Sequence, residues 1–115
     1  MLVSSNAADI TAIRRPDGTY AGAVEPLGIP GVARQLAAGS SSANTALTST
    51  CRRISIRATG ADIRYSIGDS AQTATTSSHL IVNGERLDMA LPDSPNIAVI
   101  RAGSTDGILE VSELI

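Results

Sequence analysis

Residues 34–115 predict an all-β fold, an antiparallel β-sandwich, on three observations. Two stretches, 51–58 and 61–68, alternate apolar and polar side chains with the two-residue period of a half-buried strand. Turn-forming residues recur at roughly eight- to twelve-residue intervals and cut the region into about seven or eight short strands, the spacing of a sandwich or barrel rather than of βαβ units. No segment carries a convincing helical period.

Taken in order, residues 1–31 lack a periodic apolar pattern and are rich in breakers: Pro16-Asp17-Gly18, Gly22, Pro26, Gly28, Pro30 and Gly31. They read as an extended N-terminal arm ahead of a sandwich domain over residues 32–115. Proline fixes φ and glycine tolerates the left-handed region, so Pro16-Asp17-Gly18 favours a turn between residues 10–15 and 19–24. A small hairpin there and a strap lying on a neighbouring subunit are both open. Residues 31–38 alternate weakly and lean to strand, and 39–44 are a polar loop by composition.

Thr59-Gly60 separates the two alternating stretches, and a tight hairpin at that point sets the register. Ile56 then faces Ile63 and Ile54 faces Tyr65 on an apolar side, while Arg57 meets Asp62, Ser55 meets Arg64 and Arg53 meets Ser66 on a polar side. A one-residue slip scrambles that separation. The Asn83-Gly84 pair predicts a second hairpin, with Leu80 against Leu87 and His79 against Asp88, although a wider connection between two sheets is also compatible with it. The loop 103–106 separates a last pair of strands, 96–102 and 107–115, with Ile100 expected opposite Leu109 and Ala98 opposite Val111.

Composition limits what such a domain does. A chain of 115 residues is long enough for one domain. It has no Phe or Trp and only Tyr20 and Tyr65, so its core is aliphatic and an isolated copy is modestly stable. The nine basic residues are all arginine, scattered singly or in pairs against eleven acids, which argues against a nucleic-acid partner. No apolar run approaches the ~20 residues of a membrane span, and the first residues lack the pattern of a signal peptide, so no membrane association and cytosolic folding are expected.

Catalytic and metal chemistry find little to build on. His79 is the single imidazole and Cys51 the single thiol, so neither a Cys/His zinc site nor an intrachain disulfide can be composed. His79 reads as a strand-edge residue and Cys51 as packing material. Asp62, Asp69, Asp88, Asp93 and Asp106 lie at or near loops, where calcium takes its oxygens, yet they form no acidic repeat and are more simply turn formers. No catalytic residue, cofactor or metal ligand is therefore assigned. The arginines of the 51–68 region differ from the rest: Arg53, Arg57 and Arg64 are expected on one polar face. That face is either solvated or a subunit interface, with Glu110 and Glu113 as partners across the contact.

The strings Arg34-Gln-Leu-Ala, Arg52-Arg-Ile-Ser-Ile-Arg-Ala, Tyr65-Ser-Ile-Gly68, Gly84-Glu-Arg-Leu-Asp88, Ile97-Ala-Val-Ile-Arg101 and Gly107-Ile-Leu-Glu-Val-Ser-Glu-Leu114 resemble a group of small proteins encoded among the virion genes of tailed bacteriophages. The resemblance covers residues 34–115 and leaves the arm outside it. It implies a jelly-roll-like sandwich and a non-enzymatic virion accessory piece, decorating the capsid or forming part of the neck or tail. Its partners would be copies of itself and other virion proteins, and its place the virion, assembled in the host bacterial cytoplasm. A competing expectation is a ligand-binding module for a host surface glycan, using loops 72–78 and 103–106 at one end of the sandwich.

Overall fold

The computed structural model describes the backbone of Ile13–Arg14 and Tyr20–Ala21 and all of residues 28–115. Ile13–Arg14 (β1) pairs antiparallel with Tyr20–Ala21 (β2), which falls within the segments expected to flank Pro16-Asp17-Gly18. Of the remaining arm residues only 28–31 are described, and Pro30 and Gly31 already belong to the first long strand of the sandwich; the others lie outside the described residues.

Eight further strands follow: β3 (Pro30–Ala38), β4 (Ala43–Ala46), β5 (Arg53–Thr59), β6 (Ile63–Gly68), β7 (His79–Ile81), β8 (Arg86–Ala90), β9 (Asn96–Arg101) and β10 (Gly107–Leu114). They form two four-stranded antiparallel sheets, in the orders β3-β10-β5-β8 and β4-β9-β6-β7. This is the strand order of a jelly roll, the expected fold class. The weakly alternating 31–38 stretch is a strand because Leu36 and Ala38 reach the core while Gln35 and Ala37 stay exposed.

The hydrophobic core lies between the sheets. Ile54, Ile56 and Ala58 of β5, with Leu109 and Val111 of β10, face Ile63 of β6, Ile81 of β7 and Ile97 and Val99 of β9; nearly all are inaccessible to solvent. Sheets packed face to face stand about 10 Å apart, a gap that aliphatic side chains from both layers fill.

Three expected hairpins do not form. β5 and β6 lie in different sheets, so Ile56 is flanked by Val111 and Leu87, Ile54 by Glu113 and Met89, and Arg57 by Glu110 and Arg86. The chain at Thr59-Gly60 arches from one layer to the other. Ile54 and Ile56 still share an interior with Ile63 and Tyr65, but across the gap rather than side by side. Alternation reports which face is buried and is silent about which strand lies alongside.

Asn83-Gly84 makes the same kind of crossing, between β7 and β8. Leu80 pairs with Arg64 and His79 with Tyr65, while Asp88 pairs with Ser55 in the opposite sheet. Gly60 and Gly84 have φ of +89° and +86°, so the glycine signals mark real reversals. β9 and β10 are likewise separated: Ala98 lies between Asn44 and Ser66, and Ile100 beside Arg64. Among the described strands of the two sandwich sheets, only β6 and β7 are consecutive and pair, and their link, 69–78, crosses the outer face of the β6 sheet. There the Gln72 amide donates to Asn44 Oδ1 at 2.9 Å and the Ala74 amide to Ser42 Oγ at 2.8 Å. This strap buries Ala74 and covers Ala98.

Candidate functional site

Three regions hold groups able to engage a partner. The first is the outer face of the β3-β10-β5-β8 sheet. Alternation sends Arg53, Ser55 and Arg57 outward from β5, Glu110 from β10, and Arg86 and Asp88 from β8. The register then lines up Gln35, Glu110, Arg57 and Arg86 in one row across four strands. Glu110 accepts a 3.0 Å hydrogen bond from Thr59 Oγ1, and Arg86 donates to Ser55 Oγ at 3.0 Å. The result is a polar face that carries three arginines and two acids.

Arg64, expected on that face, and Glu113, expected as a partner across the contact, are elsewhere. Arg64 belongs to the other sheet, where it donates to the Ser78 carbonyl at 2.9 Å and ties the strap down. Glu113 is 1% exposed and points into the sandwich, which removes it from any subunit contact. One of its oxygens, Oε2, accepts from Arg34 Nε at 2.9 Å and Nη2 at 2.8 Å, and from the Thr48 amide at 3.0 Å. Burial opposes ionisation of Glu113. Hydrogen bonds from the Thr48 side chain and backbone and from Arg34, with the guanidinium charge, outweigh that penalty and hold the carboxyl below its usual range. Alternation places Glu113 inside, two residues after inward Val111. Its partner Arg34 comes from β3 and Thr48 from the loop after β4, both remote in sequence.

The second region is the root of the arm. Ile29 and Ile115 exchange two backbone hydrogen bonds of 2.8 Å, so the chain enters the sandwich clamped to its own C-terminal residue. Gly28 has a φ of +115°, and a Cβ there would lie 2.9 Å from the Ile115 carbonyl oxygen and 3.1 Å from the Arg53 guanidinium. Ile29 and Ile115 are more than two-thirds exposed, and Val32 nearly half.

The third region is a cleft of about 280 Å³ at one end of the sandwich, lined by Gly60, Ala61, Asp62, Asn83, Gly103, Ser104 and Thr105. Asn83 braces it: its Oδ1 accepts from the Gly60 amide at 2.9 Å, and its own amide donates to Asp62 Oδ1 at 2.8 Å. The loops 72–78 and 103–106 do not share this end, since 72–78 is held on the outer face of the β6 sheet.

The remaining candidate residues are structural in their contacts. His79 lies beside Tyr65 with ring centroids 5.5 Å apart, not against Asp88. Burial raises the Tyr65 phenol above its ordinary value, and the negative charge of Glu85 adds to the shift. Cys51 is buried, with its thiol 3.1 Å from the Arg53 carbonyl oxygen. Asp93 pairs with Arg52 at 2.9 Å and Asp106 with Arg101 at 2.7 Å. Among the described residues no group of three or more His, Cys, Asp or Glu side chains is gathered as metal ligands would be, and no helix is long and apolar enough to cross a membrane. In comparisons with protein families, curated proteins and solved structures, nothing matches the chain.

Proposed function

We propose that this chain is a non-enzymatic structural subunit of a tailed-bacteriophage virion, one that oligomerises and either decorates the capsid or forms part of the neck or tail. The observation that carries the assembly reading is the arm root. Exposed Ile29 and Ile115 are joined by backbone hydrogen bonds where the chain enters β3, with exposed Val32 three residues on; the other exposed large aliphatic side chains among the described residues, Leu80, Val82 and Ile108, lie elsewhere on the sandwich. Contiguous exposed apolar side chains mark sites of protein contact. The virion assignment rests on the resemblance of the strand strings in residues 34–115, since fold alone does not specify function. Partners in this reading are further copies and other virion proteins, without nucleic acid, membrane or cofactor. Electron microscopy of purified particles that carry an epitope tag on this chain tests it: density at a repeated position on head, neck or tail is expected, and untagged, unlabelled particles refute it.

The loop-end cleft favours a second reading, binding of a host glycan. Its lining of amides, Asp62, Asn83, Ser104 and Thr105 offers hydrogen bonds to hydroxyl groups, although it presents no aromatic ring for a sugar to stack on. Binding on a glycan array that Asp62→Ala abolishes would establish it, and an array without binding would eliminate it.

A further inference from the structure

We propose that β3 is the assembly edge of this sandwich and that it pairs antiparallel with β3 of a second copy, joining two four-stranded sheets into one of eight strands. The inference rests on the oligomer reading and names its surface.

β3 pairs with β10 on one side, and among the described residues no strand pairs with its other side. An open edge is a row of unpaired amides and carbonyls, which proteins blunt with charge, proline, bulges or brevity when they need to stay apart. The other three edges of this sandwich are blunted. β7 has three residues and β4 has four, while β8 exposes Arg86 and Asp88. β3 has nine residues, and its exposed side chains from Ala33 onward are Ala33, Gln35 and Ala37. Its proline is the first residue, and its register shift lies opposite Ser112 and Leu114, before Ala33. Its single charge, on Arg34, is directed inward and offset by Glu113 at 2.8 Å.

Residues 28 and 29, which lead into β3, do not run along this edge. Ile29 is bonded to Ile115 on the β10 side, and Gly28 lies against Arg53 of β5, one strand further from the open edge. A second copy meets the edge without conflict. Pairing about a two-fold axis at Gln35 sets each Ala33 opposite the other copy's Ala37, brings the two Gln35 amides together and opposes no like charges, as a self-complementary interface requires.

The register supplies its own test, by sedimentation of the full chain. The unmodified chain is expected to dimerise. Ala33→Lys with Ala37→Lys places lysines against lysines in both symmetry-related pairs and raises the dimer dissociation constant about tenfold or more. Ala33→Lys with Ala37→Glu places lysine against glutamate and restores the dimer; both positions are exposed in the monomer, so neither variant disturbs the core. A monomeric unmodified chain, a doubly lysine-substituted chain that dimerises as before, or failure of the Lys/Glu variant to recover would each overturn the inference. The proposed function fails separately, by absence of the chain from particles.

Discussion

Removing Arg34 tests the physical account of the sandwich end most directly. In the folded chain one Glu113 oxygen takes three N–H donors, two from Arg34 and one from Thr48, inside a site that leaves the carboxylate 1% exposed. Arg34→Met keeps the aliphatic stem and strips the charge and two of the donors. Breaking a buried pair on one side costs about 3–5 kcal/mol, because the remaining charge is desolvated without compensation. Arg34 itself is a quarter exposed and water can partly replace it, so the lower end, about 3 kcal/mol, is expected. Glu113→Gln leaves an oxygen able to accept the same donors and loses only the charge, for about 1 kcal/mol. Arg34→Met combined with Glu113→Leu leaves no buried charge and is expected to be more stable than Arg34→Met alone. Urea unfolding followed by circular dichroism measures all three. A cost under about 1 kcal/mol for Arg34→Met, or a double variant no more stable than Arg34→Met alone, refutes the reasoning.

Further outcomes follow from the same geometry. Because Glu113 ionises more easily folded than unfolded, its contribution is complete above the ordinary carboxylate value of 4.5 and is lost as pH falls through its lower folded value. Unfolding midpoints measured below that value should fall more steeply for the native chain than for Glu113→Gln. Tyr65 has the opposite sense: its phenol is raised, so its contribution is present below 10.0 and disappears as pH rises through the folded value. In a Tyr20→Phe background the tyrosinate absorbance of the folded chain should titrate later than that of the unfolded chain, and Glu85→Gln should bring it earlier. A Cβ on Gly68 would overlap the Gln72 side-chain amide, which accepts from Ser66 Oγ at 2.8 Å. Gly68→Ala should therefore speed amide exchange in residues 69–78 while leaving β9 protected. Ile56→Ala, at a fully buried position in a central strand, should cost about 3–4 kcal/mol, whereas Arg57→Ala next to it should stay within about 0.5 kcal/mol in the same unfolding assay.

Burial was legible residue by residue. Ile54, Ile56, Ile63 and Tyr65 were expected inside from a period of two, and all four are buried. The outward positions of Arg53 and Arg57 follow from the same alternation. The lock around Glu113 was not legible, because its three members lie on β3, on the β4–β5 connection and on β10, and their proximity depends on β3 lying beside β10. The loop-end cleft was also hidden, since it is assembled from three connections that each look like an ordinary turn.

The class of structure follows from local pattern: short alternating strands separated by glycine- and proline-bearing reversals, with an aliphatic interior. Those properties are local, arising from backbone freedom at Gly60 and Gly84 and from the opposite directions of successive side chains in a strand. Tertiary structure alone decided the partners. At Thr59-Gly60, a hairpin and an arch between layers bury the same isoleucines and reverse the chain at the same glycine, so neither the turn nor the alternation distinguishes them. What separates them is the completed core: β10 fits between β3 and β5, and β9 between β4 and β6, closing two layers around side chains that a row of adjacent hairpins would leave on one uncovered sheet.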